Sequence, residues 1–346
     1  MRLLPLKSYI PTVRGLIANR MAGEAVYPFY ASFKITSRCH FGCPFCNVRR
    51  DRSADRSTAD IKAVLDNLSR SSVLMTSFEG GEPLLRDDIG ELLQYARTCG
   101  FYLLFTTSAR DLMDQPLREY APYIDFLHVS IDEGHDNLCM FEALPRLCEL
   151  PVQVSVQTVV TRDTVGCLAD KVRRCREAGA NIVIIPASPM EGAQNCFPDM
   201  DALRRTVEDL RRNYPGTIHT PRKFFDAYAG RRCSPASVII ASDCRLYYPC
   251  HILGTKGPDL TVTDLNTWLA GDEARAMRRR MRACTRNCGW YQYYSIDSYV
   301  SPITVWESLM PMLIQAIRRR GGRRSARRST QRLMSRARRI FVRQRQ

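Results

Sequence analysis

From residue 30 onward, short apolar runs alternate with longer stretches in which apolar residues recur every three or four positions. The runs occupy residues 30–35, 73–78, 102–106, 126–131, 152–160 and 182–186. Between them, residues 60–68, 88–99, 112–120, 137–150 and 165–178 carry a helical period, with Gly100 and Gly179 as stops. Runs rich in branched and aromatic residues, separated by one helix each, argue for a parallel sheet built from βα units. Six such units predict an α/β fold of the partial (β/α)6 barrel type, with its chemistry at the C-terminal ends of the strands. A charged helix over 200–213 completes this unit, so the core is expected to span residues 28–215.

The pattern differs at both ends of the chain. Residues 2–21 read as an amphipathic helix, broken near Pro11, with Leu6, Tyr9, Ile10, Val13, Leu16 and Ile17 at helical spacing and Arg2, Lys7, Arg14 and Arg20 interleaved. Such a helix, within an N-terminal segment 1–27, can pack over the bottom of a barrel or lie on a membrane surface. Downstream, Cys233 precedes an apolar run over 236–241, a turn at Ser242-Asp243 and a second run ending at Cys250. This predicts a β-hairpin with Cys233 and Cys250 nearly opposite each other, opening a small β-hairpin/α module over 216–300. Cys284 and Cys288 add two sulfurs one helical turn apart. Residues 301–346 form a tail in which Trp306, Leu309, Met310, Leu313 and Ile317 share a helical face ahead of an arginine-rich segment.

With 346 residues, the chain can hold one large α/β domain and a smaller module. Fourteen cysteines without a secretory signal point to a reducing compartment, and no apolar run reaches the length of a membrane span, so the expected location is the cytoplasm. The net charge is +16, but thirteen arginines and no acidic residue lie between Arg318 and Gln346, so the basicity belongs to the tail. A segment of this kind suits a solvated tail, a peripheral contact with an anionic bilayer, or RNA phosphates.

The chemical signals fall at strand ends. After the first run come Cys39, Cys43 and Cys46, spaced Cys-x3-Cys-x2-Cys. Three thiolates on a short loop can hold an iron-sulfur cube whose fourth iron has no protein ligand. The same residues could make a zinc knuckle with His40 or a distant residue as fourth ligand, or pair as a disulfide. The second run ends in Glu79-Gly80-Gly81-Glu82-Pro83, where paired glycines allow a close backbone approach and a carboxylate stands ready for a cation. The third ends in Thr106-Thr107-Ser108. The fourth ends in Ser130-Ile131-Asp132, short acceptors suited to hydroxyl groups, with a helix N-cap as the other use of Asp132. Gln157 and Thr158 end the fifth run, and residues 184–187 the sixth.

Taken in order on successive βα units, Cys39, Cys43 and Cys46, then Gly80-Gly81-Glu82-Pro83, then Ser130 and Asp132 resemble the radical SAM superfamily over residues 28–215. The resemblance implies a [4Fe-4S] cluster on the three cysteines with an exchangeable S-adenosylmethionine (SAM) on its open iron. Gly80, Gly81, Glu82 and Pro83 would meet the amino group of SAM, and Ser130 and Asp132 its ribose. Thr106-Thr107-Ser108 departs from the threonine-asparagine-glycine turn of many relatives.

The C-terminal module resembles the SPASM and twitch class, implying an auxiliary [4Fe-4S] cluster on Cys233, Cys250, Cys284 and Cys288, with Cys244 as a substitute ligand. Arg245 stands where that class usually has glycine, and no further cysteines follow Cys288, which favours the twitch form. The implied activity is reductive cleavage of SAM to a 5′-deoxyadenosyl radical that takes hydrogen from a substrate C–H bond, with electrons from a flavodoxin- or ferredoxin-type donor. The basic amphipathic ends suggest a lipid-linked or small-metabolite substrate. Peptide maturation, RNA modification and a non-catalytic redox scaffold are the other readings.

Overall fold

A computed structural model describes residues 2–51, 53–188, 193–226, 235–248, 250, 253, 256–285, 306–307, 310–311 and 313–315. Six strands appear near the expected places: β1 (Tyr30–Thr36), β2 (Met75–Gly80), β3 (Tyr102–Thr107), β4 (Phe126–Ser130), β5 (Gln153–Val160) and β6 (Asn181–Pro186). They pair in parallel in the order β6-β5-β4-β3-β2-β1, and the sheet remains open.

The helices between them are α2 (Thr58–Ser69), α3 (Ile89–Thr98), α4 (Leu117–Tyr120), α5 (Met140–Leu147) and α6 (Leu168–Ala178), after an N-terminal α1 (Leu6–Ala22). On one face of the sheet, Ala31, Phe33, Ile35 and Phe78 join Ile61, Val64, Leu65 and Leu68 of α2 and Leu92, Leu93 and Ala96 of α3 in a single core. Ser57 starts α2 with a capping box: its hydroxyl accepts from Asp60 N–H while the Asp60 carboxylate accepts from Ser57 N–H.

Two local expectations fail for identifiable reasons. Residues 112–120 do not make one helix. Pro116 forces Gln115 into an extended conformation (ψ 153°), leaving a short turn at Leu112–Asp114 and a single turn of helix at α4. Conversely, Pro11 lies inside α1 without ending it. It sits on the exposed side, where water can satisfy the Lys7 carbonyl that loses its helical partner.

The hairpin is present but does not stand apart from the barrel. Its first strand, β7 (Ser237–Ile240), pairs in parallel with β1, and β8 (Arg245–Tyr247) and β9 (Lys256–Asp259) extend the same sheet antiparallel. α7 (Met200–Asn213) and α8 (Arg222–Asp226) precede it; α9 (Leu265–Ala270) and α10 (Asp272–Arg282) follow. Buried Asn67 on α2 fixes this module: its amide donates to the carbonyls of Leu260 (2.9 Å) and Thr263 (2.6 Å) and accepts from Leu265 N–H (3.0 Å). Buried Arg278 bonds Glu24 at 2.7 Å and the Leu269 carbonyl at 2.8 Å, tying α10 to the segment after α1.

α1 closes the end of the sheet where the strands begin. Thr12 Oγ1 donates to the Ser72 carbonyl, and the Tyr9 hydroxyl lies 2.7 Å from that of Tyr102, the first residue of β3. Gly15 lets the helix approach so closely that a Cβ there would stand 2.7 Å from Tyr27 Cβ. The helix therefore packs over the barrel bottom through Thr12, Gly15 and Asn19, with Tyr9 and Leu16 at the edge of a small core that includes Leu4, Phe29 and Tyr30. Leu6, Ile10, Val13 and Ile17, expected on the same apolar face as Tyr9 and Leu16, point outward instead.

Candidate functional site

The loops that leave the C-terminal ends of the strands meet around the cysteine segment. β2 runs straight into it: Gly81 N–H donates to the Thr36 carbonyl (2.9 Å) and Glu82 N–H to the Arg38 carbonyl (2.8 Å). Both glycines are required for this. Gly80 has φ +140°, and a Cβ on it would lie 2.3 Å from the Thr36 oxygen; a Cβ on Gly81 would lie 1.9 Å from the Arg38 oxygen and 3.0 Å from Cys39 Cβ. The backbone that these glycines admit is that of the cysteine loop itself.

Glu82 is buried, and every oxygen of its carboxylate is held. Oε1 accepts from Thr107 Oγ1 (2.8 Å) and Leu84 N–H (3.2 Å), and Oε2 from Ser108 N–H (2.8 Å). Burial raises its pKa above the ordinary carboxylate value, while these hydrogen bonds and His40 pull the other way. Thr107 and Ser108, the two residues that depart from the usual turn, are thus the ones that orient Glu82. An approaching cation would relieve the desolvation of this group.

At the end of β4, Asp132 begins a short helical turn. Its Oδ1 accepts from His135 N–H (3.0 Å) and lies 2.8 Å from His135 Nδ1, and its Oδ2 accepts from Val159 N–H (3.0 Å). Asn137 locks the neighbouring loops by donating to the carbonyls of Ser130 (2.7 Å) and Ser108 (3.0 Å). Ser130 is buried beside them. The N-cap use of Asp132 is therefore realised in the geometry.

Aromatic residues between the cysteines press on this turn. Phe41 and Phe45 each stand edge-on to the His135 ring, with centroids 5.6 Å away. A Cβ on Gly134 would come within 2.2 Å of the Phe45 ring. From the far side, Gln194 N–H donates to the Pro44 carbonyl at 2.8 Å, joining the segment after β6 to the same loop. Beside it, His40, Phe41, Gly42, Arg110, Gly134, His135 and Asp136 line a cavity of about 300 Å³. His135, Gly134 and Asn137 carry no spacing signal; the aromatic residues flanking Cys43 were the only available hint of a partner.

Cys39, Cys43 and Cys46 are free thiols, each partly exposed. Burial raises the Cys39 thiol and pushes Cys43 up to about 12, and in both cases the nearby Cys46 adds to the rise. Neutral thiols crowded in this way suit a cationic metal centre, which would draw off their protons. Among the described residues, no three His, Cys, Asp or Glu side chains gather closely enough to bind one ion.

Below these loops, the sheet face opposite the main core is polar. Ser32, Lys34, Glu79, Thr106, His128 and Gln157 share it by strand alternation and register. Lys34 and Glu79 are register partners, and Ser32 donates to Glu79. Burial lowers the Lys34 ammonium and raises Glu79 to about 7 against the pull of Lys34; burial, with His219 nearby, lowers His128 to about 4.

In the C-terminal module, Cys250 is buried against Ile239, and Cys284 follows α10 half-exposed. Cys233 and Cys288 lie outside the described residues. Cys244 is buried in the hairpin turn at φ +64°, where Arg56 lies against its thiol. Residues 318–346 also lie outside the described residues.

Residues 33–193 match the Radical SAM superfamily. The PqqA peptide cyclase of Bradyrhizobium diazoefficiens is 27% identical over 228 residues, covering 59% of this chain and 60% of that protein. That of Gluconobacter oxydans is 28% identical over 169 residues, covering 44% and 47%. The chain thus spans about 60% or less of the length of these curated relatives. In fold, it resembles Streptococcus suis SuiB bound to precursor peptide SuiA, with a TM-score of 0.63 at 16% identity over 84% of this chain and 77% of that one. It also resembles anSMEcpe with bound AdoMet and Cp18Cys peptide, with a TM-score of 0.51 at 17% identity over 84% and 97%.

Proposed function

We propose that this chain is a radical SAM enzyme, as the match over residues 33–193 supports, and that its substrate is a peptide, modified at an unactivated C–H bond. The observation that carries the proposal is the match to peptide cyclases, which covers 59% of the chain and so runs beyond the radical SAM stretch. The polar sheet face supports it. Ser32, Lys34, Glu79, His128 and Gln157 offer a polar, titratable surface of the kind that the amides and side chains of a peptide can meet. A peptide therefore replaces the lipid-linked or small-metabolite substrate suggested by the basic ends of the sequence.

Cys39, Cys43 and Cys46 would hold the [4Fe-4S] cluster through three thiolates. With SAM bound there, the cluster would supply 5′-deoxyadenosyl radical chemistry, given one electron from an external flavodoxin- or ferredoxin-type donor. The chain's own residues do the positioning. Gly80 and Gly81 bring β2 onto the cysteine loop, and Glu82, fixed by Thr107 and Ser108, presents a carboxylate to the SAM ammonium, with Pro83 setting the turn. Ser130 and Asp132 bound the ribose side, where Asp132 acts through the turn it caps. Cys250 and Cys284, with Cys233 and Cys288, would hold an auxiliary cluster, whose chemistry would be electron transfer.

The test is anaerobic reconstitution with dithionite and SAM, followed by incubation with short peptides encoded beside the gene. The expected products are 5′-deoxyadenosine and a peptide lighter by two hydrogens. Cleavage of SAM without change in any such peptide, but with change in a small metabolite, would overturn the peptide assignment.

A further inference from the structure

α1 presents its apolar side chains to the outside. Leu6, Ile10, Val13, Ile17 and Met21 are 78%, 43%, 51%, 56% and 84% exposed, while the helix is seated through Thr12, Gly15 and Asn19. At about 100° per residue, the five outward residues fall within an arc of about 80°, opposite the seated face. Leu3, 86% exposed, extends the stripe toward the N-terminus. A surface helix normally turns such a stripe inward; here the small and polar side makes the core contact, so the apolar side is left for something else.

Charge identifies the occupant. The first 23 residues contain no acidic side chain. Lys7 and Arg14, both exposed, flank the arc on one side, and exposed Arg20 borders it on the other. A stripe edged by basic residues with no acid among them suits a layer that is apolar inside and anionic at its surface. A protein partner would be expected to meet some acidic groups on this helix with its own basic ones. We infer that α1 docks this protein on an anionic phospholipid membrane, its apolar stripe immersed at the headgroup boundary and its basic residues on the phosphates.

The same end of the barrel carries a second apolar element. Gln315 donates to the carbonyls of Val154 (2.8 Å) and Gly179 (2.9 Å), at the starts of β5 and β6. Beside it in sequence, Leu313 is 51% exposed. The thirteen arginines of residues 318–346 follow directly in sequence and add cationic charge suited to the same surface.

The orientation has a functional consequence. α1 covers the N-terminal ends of the strands, whereas the cysteine loop, Glu82 and the His135 turn lie at the C-terminal ends, roughly 20 Å away along a seven-residue strand. A membrane on α1 leaves the active-site mouth facing the aqueous phase. Docking therefore holds the enzyme at the surface without feeding it lipid, which agrees with a water-borne peptide.

Vesicle flotation of the full chain tests this, with phosphatidylcholine alone or mixed with phosphatidylglycerol. The expected result is flotation with the anionic vesicles only, reduced at least about tenfold by Ile10→Asp with Ile17→Asp. Because both positions are exposed, the double variant should keep its circular dichroism and its 5′-deoxyadenosine formation. Removal of residues 318–346 should leave a component that the double variant abolishes and that weakens in high salt, which screens the attraction of Lys7, Arg14 and Arg20 to the phosphates. No flotation, or flotation unchanged in the double variant, would overturn the inference. So would sedimentation showing a wild-type dimer that the variant dissociates, since the stripe would then belong to a second copy. Flotation requires neither SAM nor peptide, so it fails independently of the proposed function.

Discussion

Gly81→Ala isolates the link between the end of β2 and the cysteine loop. The added methyl would stand 1.9 Å from the Arg38 carbonyl oxygen and 2.6 Å from its carbon, and both are backbone atoms with no rotamer to change. Moving them apart strains the bonds that flank the contact, Gly81 N–H to Thr36 O at 2.9 Å and Glu82 N–H to Arg38 O at 2.8 Å. Two weakened backbone bonds at about 1 kcal/mol each and an overpacked site at about 1–3 kcal/mol give a loss of about 3–5 kcal/mol. That corresponds to a fall in Tm of roughly 5–15 °C. Arg38 adjoins Cys39, so the displacement also moves the first thiol of the proposed cluster site. Thermal unfolding by circular dichroism, with iron and acid-labile sulfide measured after anaerobic reconstitution, reads both effects. Gly166→Ala is the control, because nothing lies within 4 Å of a Cβ there. If Gly81→Ala proved as stable and as iron-loaded as Gly166→Ala, the reasoning about this contact would be refuted.

Other consequences can be checked separately. His128 is lowered to about 4 from 6.5, so its stability contribution is complete above about pH 6.5 and is lost as the pH falls toward 4, by about 3 kcal/mol. In urea unfolding across that range, His128→Gln should flatten the decline, and an unchanged slope would contradict the burial argument. Thr107→Val removes a hydrogen bond to Glu82; the expected outcome is a higher KM for SAM, with stability lower by about 1–3 kcal/mol. An effect on stability alone would mean that Glu82 does not meet the cofactor. Cys43→Ala should abolish iron retention while sparing the far-ultraviolet spectrum, and iron content equal to wild type would remove Cys43 from the ligand set.

Much of this arrangement could be read from local pattern. Strand positions follow from apolar runs, and the cysteine loop and the Gly80-Gly81-Glu82-Pro83 turn are contiguous in sequence, so spacing alone exposes them. What periodicity misses depends on contacts between distant parts of the chain. The pairing of Tyr30 with Ser237 makes β7 a further parallel strand of the barrel sheet, and nothing near either residue announces it. The grip of Thr107 and Ser108 on Glu82, and of Phe41 and Phe45 on His135, likewise joins separate βα units.

α1 gives the opposite lesson. Its helical spacing was legible, but its orientation was not, because Gly15 and Thr12 fit against Tyr27 and Ser72 more closely than Ile10 or Ile17 could. At Pro116 the sequence did hold the answer: the pre-proline restriction on Gln115 divides an otherwise continuous helical period.

The central claim is that three thiolates on the loop after β1 hold a cluster that opens one iron to SAM, with Glu82 beside it. The most direct measurement is electron paramagnetic resonance of the reduced, anaerobically reconstituted protein before and after SAM is added, scored together with 5′-deoxyadenosine. The account predicts a [4Fe-4S]+ signal that shifts on SAM addition, disappears in Cys39→Ala/Cys43→Ala/Cys46→Ala, and accompanies nucleoside formation. A signal indifferent to SAM, with no 5′-deoxyadenosine from fully loaded protein, would contradict it.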